Sequence, residues 1–124
     1  MSIHYDSLLS VSDRIHRREI SSAGVTTELL HRIARYDGRL HSTLMVLADD
    51  AMAQARQADA EIAAGNWRGP LHGIPVGVKD LLWTKGLPTT GGMEILRDFR
   101  PQEDATVVAR LKAAGEGVIA KLHM

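Results

Sequence analysis

The sequence has no cysteine, which excludes disulfide bridges, thiolate metal sites and a cysteine nucleophile. It has no surplus of charge either: fifteen basic and fifteen acidic side chains cancel, and neither sign forms a block. Nothing therefore points to direct nucleic-acid binding or to an acidic membrane surface. The first ten residues lack a basic region followed by an apolar run, and no apolar stretch approaches the length that spans a bilayer. A cytoplasmic protein with a small-molecule or protein partner is the expectation.

What is present is enough for one modest domain. At 124 residues, with average apolar and charged fractions, the chain can bury a core if its elements pair with one another. The first two thirds read as helices. Leu8, Val11 and Ile15 fall at helical spacing within 7–18. Ser21 and Ser22 offer an N-cap for a second helix, whose stripe of Val25, Leu29, Ile33 and Tyr36 is expected to end at Asp37-Gly38. Thr43 to Leu47 is a short strand candidate. Asp49 and Asp50 then favour the start of the alanine-rich helix 51–64, which Gly65 stops.

After Asn66 the texture changes. Glycines and prolines crowd around the apolar run Pro75-Val76-Gly77-Val78, which reads as a strand framed by tight loops. Asp104 is placed to cap a helix over 105–114, Gly115 to end it, and Val118 to Leu122 to form another strand. Strand, helix and strand in that order suggest a parallel crossover. The fold class is α/β, with a helical lead-in over 1–65 and a strand, loop, helix and strand over 66–124. Strands buried on both faces need neighbours, and the chain stops at Met124 without a turn or cap, so the expected object is part of a larger domain.

Lys79 is the candidate for chemistry. It closes an apolar run where an apolar residue is usual, so the pattern predicts a desolvated lysine able to accept a proton near neutral pH. Its neighbour Asp80 points to the other face of an extended chain. Other candidates are weaker. Gly86-Leu87-Pro88-Thr89-Thr90-Gly91 has the outer spacing of a P-loop, but Gly92 and Met93 stand where lysine and Ser/Thr are required. The six histidines are scattered and form no ligand set, Glu28 and His31 on one helix included. No metal and no cofactor is expected. Thr89 and Thr90 show no partnered base, no serine sits in a glycine-flanked turn, and Trp67 and Trp83 read as packing residues.

The run Gly69-Pro70-Leu71-His72-Gly73-Ile74-Pro75-Val76-Gly77-Val78-Lys79-Asp80, followed by Gly86-Leu87-Pro88-Thr89-Thr90, resembles the opening motif of the amidase signature family. The resemblance continues through Asp104 to Val108, the helix that follows, and the closing Lys121-Leu122-His123-Met124. It implies an amide hydrolase built on a serine nucleophile, a second serine in a cis peptide bond, and a lysine that takes the proton through that second serine. Lys79 matches the lysine. Both serines and the oxyanion-binding amides would follow Met124, so 1–124 is expected to be the N-terminal part of one amidase domain and inactive alone. Two positions depart from the pattern: Met93 replaces a serine, and Glu116-Gly117 replaces small apolar residues before the last strand. A glutamine-hydrolysing amidotransferase subunit of the same family is the alternative enzyme. A non-catalytic module that pairs its strand edges with another chain or a second copy is the alternative outside catalysis.

Overall fold

The computed structural model describes residues 2–124. Four helices, α1 (Leu8–His16), α2 (Ser22–Leu40), α3 (Ala48–Ala63) and α4 (Thr106–Ala113), accompany three strands, β1 (Thr43–Val46), β2 (Pro75–Lys79) and β3 (Gly117–Leu122). Short 3-10 turns cover Ile3–Tyr5 and Glu94–Leu96. The sheet order is β1-β3-β2. β2 and β3 are parallel, as the strand, helix and strand order predicts, with Val78 opposite Lys121 and Lys79 opposite Leu122. β1 is antiparallel to β3, so the last strand lies in the centre and β2 forms an edge among the described residues.

Helices flank both faces of this small sheet. On one side Ala51 of α3 packs on Ile119 and Ala120, with Leu29, Leu30 and Ile33 of α2 beside them. On the other, Val108 of α4 closes on Val78 and Val118. A third cluster joins Val11 and Ile15 of α1 to Val25, Ile62 and Ile74. Val11 and Ile15 are therefore core residues as their spacing predicts, while Leu8 stays exposed.

The helix ends differ from expectation in informative ways. Ser21 is the N-cap of α2 and accepts from the Gly24 N–H. Ser22 is instead the first helical residue. Its N–H and that of Ala23 donate to the Asp59 carboxylate on α3, an anion placed where the helix N-terminus carries partial positive charge. α2 also runs past Asp37-Gly38 to Leu40. Asp37 does not break it; its carboxylate reaches forward to the Ser42 N–H and to the hydroxyls of Ser42 and Thr43, while His41 takes the left-handed turn at φ 51°. Those hydroxyls, Ser42 foremost, hold Asp37 well below the usual carboxylate range. Asp104 likewise does not cap α4: no side chain caps that helix, and the Asp104 carboxylate accepts from the Lys85 N–H and pairs with Lys112. Glu116 leaves the start of β3 intact, since the strand begins at Gly117.

No described helix is long and apolar enough to cross a membrane. No group of three His, Asp or Glu that could hold a metal ion occurs among the described residues.

Candidate active site

The apolar run around Val78 does not desolvate Lys79 within the described residues. Strand alternation sends Val78, and Asp80 after it, to the buried side, and turns Lys79 outward, where it is exposed. The expected desolvation is therefore corrected: the run buries one face of β2, and Lys79 lies on the other. Asp80 points away from Lys79, as the extended chain predicts, and is buried.

The backbone around Lys79 is held on every side. Its carbonyl accepts from the Leu82 N–H at 3.0 Å. The Asp80 N–H donates to Leu122 O at 3.0 Å, and the Asp80 carbonyl accepts from the Gly91 N–H at 2.9 Å. The side chain of Asp80 then accepts from the Thr90 N–H at 3.2 Å and from the Thr90 hydroxyl. Thr90 in turn accepts from the Gly92 N–H. The segment with P-loop spacing is thus a loop stapled back onto the residue after Lys79.

A second lysine sits beneath this loop. Lys121 of β3 is 1% exposed. Its ammonium donates to Leu82 O at 3.0 Å, Thr84 Oγ1 at 2.8 Å and Thr89 Oγ1 at 3.2 Å, and lies 3.9 Å from Asp80 Oδ1. Burial pushes its pKa down, against the opposing pull of Asp80. The sequence pattern gives Lys121 no role beyond its place in the closing motif, and gives Thr89 and Thr90 no partner; the structure supplies both. The available signal was a lysine inside the apolar run Val118–Leu122, the same pattern that singles out Lys79.

An open cleft of about 610 Å³ adjoins this network, lined in part by Met45, Asp80, Thr90, Met93 and His123. Met93, at the position of a departure from the family pattern, forms part of its wall. Trp67 stacks on His16 with centroids 3.9 Å apart, and Trp83 meets Phe99 edge-on at 5.5 Å, so both indoles have packing partners. His72 is buried at the other end of the strands. Its Nδ1 accepts from the Arg68 N–H, and its Nε2 lies 2.8 Å from Glu61.

Comparison with known proteins identifies the family. The family model described as Amidase covers residues 24–124. Putative amidase AmiD of Mycobacterium tuberculosis is 53% identical over 117 residues, 94% of this chain and 25% of the relative. The glutamyl-tRNA(Gln) amidotransferase subunit from Salinispora tropica is 45% identical over 118 residues, 95% of this chain and 24% of that protein. The peptide amidase of Stenotrophomonas maltophilia superposes with a TM-score of 0.89 at 33% identity, covering 97% of this chain and 25% of that one. The chain spans about a quarter of the length of the curated relatives it matches. Sequence and fold together establish that the chain belongs to the amidase signature family.

Proposed function

We propose that this chain supplies the proton-accepting lysine of an enzyme that hydrolyses carboxylic amides to an acid and ammonia or an amine. Lys79 is that lysine, and a single observation carries the assignment: it ends β2 with its backbone fixed on both sides and its side chain exposed. The serine nucleophile and the second serine lie outside these 124 residues. A neutral Lys79 takes the nucleophile's proton through the second serine as the serine oxygen bonds to the amide carbon. The C–N bond then breaks, the leaving amine takes up a proton, and water hydrolyses the acyl ester. Lys79 needs to be neutral for this, so in this reading the segment bearing the serines covers its exposed face and desolvates it.

The substrate is a small-molecule amide, and the segment alone performs no turnover because it brings neither nucleophile nor oxyanion donors. Greater similarity to the amidase than to the amidotransferase favours a stand-alone hydrolase. The test is ammonia release from simple primary amides by the polypeptide that carries this segment with the serines. Lys79→Ala should leave folding intact and lower turnover by about 10²- to 10⁴-fold, the usual worth of a general base. Unchanged turnover overturns the assignment. Ammonia release only from glutamine, and only with partner subunits, would transfer the reading to an amidotransferase.

A further inference from the structure

We propose that Lys121 is a positioning residue for Lys79: its buried ammonium gathers both arms of the 81–90 loop and thereby fixes the direction in which Lys79 leaves β2. The inference rests on the reading of Lys79 as the proton acceptor.

The argument starts from the loop. Between Asp80 and Thr90 the chain has no helix or strand, so its shape depends on specific tethers. Leu82 and Thr84 lie on the outgoing arm and Thr89 on the returning arm. All three are bound by one nitrogen, Lys121 Nζ, which uses its three donors on them. The same nitrogen faces Asp80, whose carboxylate holds Thr90 at the far end of the loop. Phe99 also meets both arms, through the Thr89 N–H and the Trp83 ring, but Lys121 is the group that joins them to the residue after Lys79. Lys121 borders the cleft but is 1% exposed, and its three ammonium donors are taken up by the loop, so its effect on chemistry passes through the backbone it holds. The two lysines occupy adjacent strands one register step apart, Lys121 opposite Val78 and Lys79 opposite Leu122, on opposite faces of the sheet. Leu82 links them directly: its N–H donates to Lys79 O, and its carbonyl accepts from Lys121.

The experiment uses the polypeptide that carries this segment with the serines. It measures the rate at which a fluorophosphonate probe labels the serine nucleophile across the alkaline pH range, which needs no knowledge of the substrate. Lys79→Met should lower labelling by about 100-fold or more. Lys121→Met should lower it by roughly ten- to 100-fold, the scale of a small misplacement of a reacting group, and displace the midpoint of the pH–rate profile. Thr84→Val removes one acceptor from the ammonium without burying a new charge, and should move rate and midpoint in the same direction by less. Should Lys121→Met fail to fold, Thr84→Val decides by the same criterion. Lower melting temperatures combined with the wild-type rate and midpoint would mean that Lys121 only stabilises, and would overturn the proposal. Full labelling of Lys79→Met would instead overturn the reading of Lys79, and the proposal with it.

Discussion

Glu116 provides a measurement on the folded chain that requires no substrate. The residue is 4% exposed, at the joint between α4 and β3, and neither carboxylate oxygen has a hydrogen-bond partner among the described residues. Burial pushes its pKa up from 4.5 to about 7, opposed by Lys112. Below 4.5 the carboxyl is protonated in both folded and unfolded chains, and the stability associated with it is fully present. Between 4.5 and about 7 the unfolded chain gives up this proton while the folded chain keeps it, so stability falls as pH rises. Above the folded value the loss levels off. At about 1.36 kcal/mol per pH unit the total is at most about 3 kcal/mol, and water reaching the ionised carboxylate reduces it to roughly 1–3 kcal/mol. Urea unfolding followed by tryptophan fluorescence at pH 5, 6, 7 and 8 reads this slope. Glu116→Gln keeps the shape and removes the titration. It should gain roughly 1–3 kcal/mol relative to wild type between pH 5 and pH 8, with histidine contributions common to both proteins cancelling in the difference. A wild-type minus variant difference that does not change with pH would refute the reasoning.

Lys121→Met should destabilise the fold by about 3–5 kcal/mol in the same urea assay, because it leaves Asp80 buried without its counter-charge. Gly115→Ala should cost roughly 2–5 kcal/mol, since a Cβ there would overlap the His72 ring at a backbone φ of 91°. Asp104→Asn should flatten the acid limb of thermal stability: burial raises the Asp104 pKa, but the Lys85 N–H and Lys112 outweigh it and hold it below 3.8, so the stabilisation is present above that value and is lost on further acidification. A melting profile in acid identical to wild type would remove that assignment. Loss of most amide turnover in Lys79→Ala completes the set.

The local elements were legible because each rests on a short-range rule. Val11 and Ile15 announced the buried face of α1, Ser21 the start of α2, and Gly65 and Gly115 the ends of α3 and α4. The parallel β2-β3 pair followed from element order. The end of α2 was hidden because Asp37 acts on residues five and six positions ahead, a contact that a glycine-based stop rule does not anticipate. Asp104 satisfied the N-cap pattern and then found a stronger partner in Lys112, eight residues away. The pattern singles out Lys79 but not its exposure, since an apolar run specifies which neighbours are buried without specifying the face a lysine takes after them. The Asp80–Lys121 pair lay beyond periodicity altogether. Its members are far apart in the chain and meet only once β3 has paired with β2.

The sheet order also governs when this fold can form during synthesis. Of the three described strands β3 is central and comes last in sequence, so β1 and β2 have no partner in the described sheet until residues 117–122 emerge. The paired residues Thr43 and Leu122 are separated by roughly 80 positions, and at translation speeds of about 5–20 residues per second that is a wait of roughly 4–16 s. During that interval β1, joined by β2 once Lys79 has been made, presents unpaired backbone, the kind of surface that chaperones hold and stray strands capture. Sequence changes that slow synthesis between β2 and β3 should therefore lower the yield of folded protein without altering any contact in the finished structure.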